Sequence, residues 1–221
     1  MKNMKALFLL DIKLITPYMK WLVLFTGIAF IMGLMNGGAG TMFMISFSLF
    51  AGTFTAFNFE NTEKSNLNIL FATLPTNRKT MLNVRYIYFL AILGLSLIAS
   101  LGIGLLMDLG FGNSNPFEVY LMMICLTIGV YLFNTGFQTP FFYRFGYMKG
   151  RIFLWIPIIL IMVIMMWPML VSAFGVQSTF DVFEIMSRDM TRTNIIAVSV
   201  GAIVYVISYL SSRYIYLRKD F

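Results

Sequence analysis

Histidine is absent from the 221-residue sequence, and cysteine occurs once. The absence of histidine excludes histidine-based acid–base catalysis, catalytic triads built on histidine and histidine metal sites. The single thiol, Cys125, has no partner for an internal disulfide and lies among apolar residues, where a small packed side chain is expected. No G-x-x-x-x-G-K-[ST] phosphate loop occurs, so this chain is not expected to bind ATP through that motif.

Charged residues are scarce as well. They make up 11% of the chain, whereas soluble domains carry roughly 25%. Apolar residues make up 59%, and the mean hydropathy is +0.83. No polar or Pro/Ser-rich tract could serve as a linker, so we predict one membrane-embedded domain over residues 1–221.

Six apolar segments are long enough to cross a bilayer as helices, which takes about 20 residues each. A tight uncharged turn, Asn36-Gly37-Gly38, separates the first two. The sequence therefore predicts an all-α membrane protein with spans over residues 17–35, 40–59, 81–107, 118–139, 152–173 and 194–212.

The basic residues indicate the orientation of these spans. Of the 16 lysines and arginines, 14 lie in the N-terminal segment, the second-to-third and fourth-to-fifth connections, and the C-terminal tail. Only Arg188 and Arg192 lie on the other side. The positive-inside rule assigns the basic side to the cytoplasm, which predicts cytoplasmic N- and C-termini.

The stretch before the first span, residues 1–16, mixes apolar side chains such as Leu7 and Phe8 with Lys2, Lys5 and Lys13. This pattern is typical of an amphipathic helix that lies on the membrane surface. Such a helix could simply anchor the first span, or it could move as a gate during a transport cycle.

The connection over residues 60–80 carries a second amphipathic pattern. Leu67, Leu70, Phe71 and Leu74 follow i, i+3, i+4, i+7 spacing and form one apolar face, which Pro75 ends. Such a helix could lie on the bilayer or fill a groove on a soluble partner.

The fourth-to-fifth connection, residues 140–151, interleaves aromatic and basic side chains. This pattern suits contact with lipid headgroups or with a partner protein. Nucleic-acid binding is not expected, because the loop lies against the membrane. The residues that stand out are Arg144, Phe145, Gly146, Lys149 and Arg151.

Polar residues inside the predicted spans are the other candidates for function, because lipid disfavours them unless they face protein or water. Thr127, Tyr131, Asn134 and Gln138 share one face of the fourth span. This stripe could pack against another helix or line a substrate path. In the third span, the small residues at positions 96, 100 and 104 form a ridge for which helix packing is expected.

The outer segment over residues 174–193 is long enough for a short helix. Its apolar residues fall roughly on one face, and Glu184 and Arg188 form an i,i+4 pair. An interfacial loop is the alternative.

Two of these segments resemble ABC-2 type permeases. The sequence over 59–66, with Leu74-Pro75, Arg78-Lys79 and Arg85-Tyr86 downstream, is similar to the first cytoplasmic connection of that family. The 140–151 loop, with Arg144-Phe145-Gly146 and the Lys149-x-Arg151 pair, resembles the second. In size and loops the chain also resembles the permease subunits of phenol-soluble modulin exporters.

The resemblance implies a six-helix, ABC-2 (type V) exporter-like permease in the bacterial cytoplasmic membrane, without an ATPase site or cofactor of its own. A separate cytoplasmic ABC ATPase would bind ATP and magnesium. A second permease, identical or paralogous, would complete the pathway. The exported cargo would be amphipathic peptides such as phenol-soluble modulins or antimicrobial peptides. A non-transporting scaffold, sensor or immunity subunit is the alternative. The residues implied in ATPase coupling are Glu60, Glu63, Lys64, Leu67, Leu70, Phe71, Leu74, Pro75 and Arg78.

Overall fold

The computed structural model describes residues 8–13, 16–35, 40–65, 78–113, 115–160, 163 and 189–218. Regular structure in these ranges is helical throughout, so the all-α prediction is confirmed for them. The helices are α1 (8–13), α2 (Met19–Met35, after a 3-10 turn at Thr16–Tyr18), α3 (Gly40–Lys64), α4 (Arg78–Phe111), α5 (Phe117–Phe145), α6 (Tyr147–Gly150), α7 (152–160) and α8 (Met190–Arg218).

Four helices, α3, α4, α5 and α8, are long and apolar enough to cross a membrane, and each corresponds to a predicted span. Helix α2 corresponds to the first span and has 17 residues. Only 152–160 and 163 of the fifth predicted span are described. A multi-pass helical protein is therefore established, whereas six spans with cytoplasmic termini remain a prediction. Most of the outer segment 174–193 lies outside the described residues, and Met190 already belongs to α8.

Two helices continue past the boundaries predicted from the sequence, on the side that is predicted to be cytoplasmic. Helix α3 continues from Phe59 to Lys64. Helix α5 passes through Pro140 to Phe145 and α6 covers Tyr147–Gly150, so most of the predicted second loop is helical. The Phe142 and Tyr143 rings lie 5.2 and 5.1 Å from the Phe59 ring. Burial of these rings offsets the roughly 3 kcal/mol disadvantage of an internal proline.

Helices α3 and α5 form the centre of the bundle. In its most apolar stretch α3 is 78% buried, whereas α8 is 17% buried. Helix α3 packs against α2, α4 and α5, and α5 packs most extensively against α8. The outer helices expose large apolar side chains such as Ile98 and Leu106, as expected of surfaces solvated by lipid.

Small residues allow close approach of the helix backbones. A Cβ atom built on Gly201 of α8 would lie 2.7 Å from the Gly129 carbonyl oxygen of α5 and 2.9 Å from the Gly129 Cα. Between α4 and α3, a Cβ on Gly104 would lie 3.0 Å from the Gly40 carbonyl oxygen. The packing role predicted for the small-residue ridge of the third span is thus confirmed at Gly104.

Gly201→Ala is expected to destabilise the bundle by about 1–3 kcal/mol, because the added methyl group meets backbone atoms of Gly129, which cannot move aside as a flexible side chain could. A shift of that size lowers the thermal midpoint in detergent by several degrees. Gly102→Ala is the matched control, since its Cβ would meet nothing within 4 Å. Equal midpoints for the two variants would show that the α5–α8 contact tolerates separation.

Asp108 connects the outer ends of three helices. Its Oδ1 accepts a hydrogen bond from the Gly40 N–H at 2.9 Å, at the first residue of α3. Its Oδ2 accepts from the Tyr120 hydroxyl of α5 at 2.6 Å and from Asn115 Nδ2 at 3.3 Å. The carboxylate is 1% exposed and lies at the N-terminus of α3, where the helix dipole favours negative charge.

Candidate functional site

Glu63, near the end of α3, joins the two connections that are predicted from the sequence to be cytoplasmic and functional. Its Oε2 accepts hydrogen bonds from the Tyr147 N–H at 2.5 Å and the Met148 N–H at 3.1 Å. These are the first two amides of α6, which have no partner within that helix. We call this arrangement the Glu63 cap. It links residues 84 and 85 positions apart and fixes the second connection onto the end of α3.

Gly146 gives the chain the turn that the Glu63 cap requires. It lies between α5 and α6 with φ = 76°, a conformation that residues with a Cβ rarely adopt. A Cβ at this position would also lie 3.1 Å from Glu63 Oε2. Only glycine therefore allows both the sharp exit from α5 and the approach of the carboxylate.

Glu60 and Lys64, one turn apart on α3, form the ion pair that their spacing predicts, with 2.5 Å between Oε1 and Nζ. The hydrogen bond that Lys64 donates to Glu60 raises the pKa of Lys64. Burial, followed by the Glu60 charge, raises the pKa of Tyr147 on α6. Since Lys64 is exposed, the pair itself contributes little stability.

Arg85 of α4 makes a second set of contacts between helices at this end of the bundle. The sequence did not predict these contacts. The guanidinium donates a hydrogen bond to Thr62 Oγ1 at 3.1 Å and lies 4.6 Å from the centre of the Phe59 ring. It also lies 3.7 Å from Asp11 Oδ1 of α1. Burial raises the pKa of the Asp11 carboxyl, and the Arg85 charge opposes that shift. The pair holds α1 against α3 and α4.

The apolar face predicted to dock on a partner lies outside the described residues. That applies to Leu67, Leu70, Phe71 and Leu74, and to Pro75 after them. Arg78 begins α4 immediately beyond this segment. The structure thus describes both ends of the predicted coupling segment, and the docking role of its apolar face remains a prediction.

The basic residues of the second connection face outward. Arg144, Lys149 and Arg151 are exposed, and the Arg144 guanidinium lies 5.3 Å from the centre of the Phe145 ring. Phe145 is also exposed. This surface is separate from the Glu63 cap, which uses only backbone amides of the same connection.

The polar stripe of the fourth span is buried between helices. Thr127, Tyr131, Asn134 and Gln138 are each at most 1% exposed. The Asn134 Nδ2 group donates to the Leu49 carbonyl oxygen of α3 at 3.2 Å. Gln138 Nε2 donates to the Gly52 carbonyl oxygen of α3 at 2.8 Å and to Thr55 Oγ1 at 3.2 Å. We call this set of contacts the α3–α5 seam. Beside it, the Tyr131 hydroxyl donates to the Phe89 carbonyl oxygen of α4 at 2.8 Å.

The side-chain amides of Asn134 and Gln138 donate hydrogen bonds, but their carbonyl oxygens accept none. Asn134 Oδ1, Gln138 Oε1 and Thr127 Oγ1 are buried without a partner. Each buried unpaired polar atom disfavours the packed arrangement by about 1–3 kcal/mol. The stripe therefore packs in this conformation, and it retains polar atoms that a hydrated surface would satisfy.

The Glu63 and Asp108 carboxylates each accept hydrogen bonds from backbone amides, which fixes the orientation of both side chains. Within the described ranges, no three cysteine, aspartate or glutamate side chains are grouped as metal ligands.

Comparison with curated proteins found no match, and comparison with solved structures found none either. The profile of the ABC-2 family transporter proteins matches residues 6–217, which is nearly the whole chain. This match agrees with the helical, multi-pass architecture of the described residues. The chain therefore belongs to the ABC-2 transporter family, whose members are membrane-spanning permease components of ABC transporters.

Proposed function

We propose that the protein is the permease subunit of an exporter driven by a separate cytoplasmic ATPase, with amphipathic peptides as cargo. The observation that carries the proposal is the Glu63 cap, which joins the predicted coupling segment to the second cytoplasmic connection. A second permease, identical or paralogous, would complete the pathway. A single subunit of this size is half of a twelve-helix arrangement.

The Glu63 cap gives a route for coupling. The ATPase would press on the apolar face of residues 67–74, which directly follows the end of α3. Because Glu63 holds the amides of Tyr147 and Met148, a displacement of that end moves α6 and the end of α5 with it. A charge-assisted contact of this kind contributes about 1.5–3 kcal/mol, enough to keep the two connections together during a movement.

The α3–α5 seam is the proposed substrate path in its closed state. Separation of α3 from α5 would expose the unpaired oxygens of Asn134 and Gln138 to water, which favours the open form. Buried apolar side chains of α3 and α5 lie next to the stripe, among them Ala51 and Leu132, which cluster with Tyr131. A path with one polar stripe on an apolar wall matches a peptide with one polar and one apolar face.

Peptide-stimulated ATP hydrolysis tests this function. The permease is reconstituted with the candidate ATPase, and hydrolysis is measured with a 20-residue amphipathic helical peptide. We expect a several-fold increase that requires the permease, and no increase with a scrambled peptide of the same composition that lacks an apolar face. A hydrolysis rate that ignores the peptide, with the complex assembled, would favour a non-transporting scaffold or sensor.

A further inference from the structure

The start of α7 exposes a continuous apolar face. Ile152, Trp155, Ile156 and Ile159 are 68%, 59%, 40% and 56% exposed. They are spaced i, i+3, i+4, i+7, so they lie along one side of the helix over a rise of about 10 Å. The opposite side, with Leu154 and Ile158, is buried in the bundle. The exposed face therefore needs an apolar solvent or partner.

A basic cluster lies where this apolar face begins. Arg144, Lys149 and Arg151 are exposed, and none of them forms an ion pair among the described residues. The nearby acids are already engaged, since Glu63 accepts from backbone amides and Glu60 pairs with Lys64. The cluster thus carries uncompensated positive charge next to an apolar surface.

We propose that this surface binds an anionic phospholipid of the cytoplasmic leaflet, with the phosphate on Arg144, Lys149 and Arg151 and an acyl chain along the exposed face of α7. A single lipid molecule then fits both features of the surface, because its negative phosphate lies next to its apolar acyl chain, just as the basic cluster lies next to the apolar face of α7. Trp155 lies at the boundary between the two, where tryptophan prefers to be. The inference is independent of what the transporter carries.

A second copy of the chain fits this surface less well. A two-fold interface places the same patch on both subunits. The three positive side chains of one copy would then approach those of the other, which is unfavourable near a low-dielectric region. Charge complementarity therefore selects an anionic lipid over self-association.

Quenching of Trp155 fluorescence by brominated lipids tests the proposal. The chain has three tryptophans, so W21F/W167F leaves Trp155 as the reporter. In nanodiscs of matched composition, we expect brominated phosphatidylglycerol to associate at least about five-fold more strongly than brominated phosphatidylcholine, because five-fold is the size expected from a single basic residue and three take part here. Adding R144Q/K149Q/R151Q should reduce that ratio to about one.

The matched control removes three positive charges elsewhere on the predicted cytoplasmic side. K20Q/R213Q/R218Q should keep the preference for phosphatidylglycerol at Trp155. Loss of that preference in this control would mean that the general surface potential, and not a local site, attracts the lipid. Absence of quenching by either lipid would show that protein covers the face, and would overturn the proposal. If the triple variant fails to fold, raising sodium chloride from 0.1 to 1 M must reduce the preference of the parent protein; a salt-independent preference contradicts the proposed contact.

Discussion

Glu63→Ala is expected to lower peptide export by the reconstituted complex at least about ten-fold, while ATP hydrolysis stays within two-fold of the wild type. The substitution removes the acceptor of the Tyr147 and Met148 amides. Loss of about 1.5–3 kcal/mol lowers the equilibrium constant between the joined and the separated arrangement of the two connections by roughly ten- to a hundred-fold. Under the proposed function, the ATPase would still dock on residues 67–74, but its movement would no longer reach α5.

Hydrogen exchange measures the same effect without any substrate. The Tyr147 and Met148 amides should exchange about ten-fold faster in Glu63→Ala, because they lose their acceptor. Gly146→Ala should act in the same direction, since an alanine there is strained at φ = 76° and its Cβ crowds the carboxylate. Glu118→Ala is the control, as it removes one negative charge from the outer end of α5.

Two outcomes would contradict this role of the Glu63 cap. Faster exchange with unchanged export would mean that the second connection does not take part in coupling. Parallel loss of export, hydrolysis and complex assembly would place Glu63 in ATPase docking itself.

Gln138→Met is expected to impair transport while leaving the stability of the protein nearly unchanged. Methionine has a similar length and shape, so the seam stays filled. It removes the unpaired Oε1, which favours the folded state, and also the two hydrogen bonds that Nε2 donates to Gly52 and Thr55, which opposes it, so the thermal midpoint should stay within about 2–4 °C of the wild type. Transport should fall about ten-fold, because the closed seam is favoured and the open path loses a polar group.

Impaired transport at nearly unchanged stability distinguishes a path from a packing contact. A role in packing alone predicts that both fall together, or that transport is unaffected when expression is unchanged. Leu121→Met, on an exposed position of the same helix, is the control for introducing methionine. Asn134→Leu is a less direct test, because the Asn134 amide nitrogen lies only 2.7 Å from where a Cβ on Gly52 would be, and leucine is larger.

The spans and the seam were predictable from local patterns. Hydropathy located the four helices, among the described residues, that are long enough to cross the membrane, because lipid requires long continuous apolar runs. Helical periodicity placed Tyr131, Asn134 and Gln138 on one face, and the structure buries them together. Helix ends were predicted less well, since the aromatic contacts that extend α5 past Pro140 come from Phe59, far away in sequence.

The contacts that join the cytoplasmic connections were not predictable in the same way. Glu63 and Gly146 were both singled out, but nothing within either segment indicates that one approaches the other. The Asp11–Arg85 pair was missed for the same reason, as it joins residues of α1 and α4. The Ala197-x-x-x-Gly201 spacing did carry a signal for close helix packing, and the small-residue rule would have found it.

Helix α3 is held by a carboxylate at each end, Asp108 at Gly40 and Glu63 at α6. Its 25 residues span about 37 Å. A force on the Glu63 end that slid α3 along its axis past α4 would break the buried Asp108 contact, whereas a tilt about Gly40 would keep it. A tilt of about 10° would then move the Glu63 end by about 6 Å, which is roughly one helical turn.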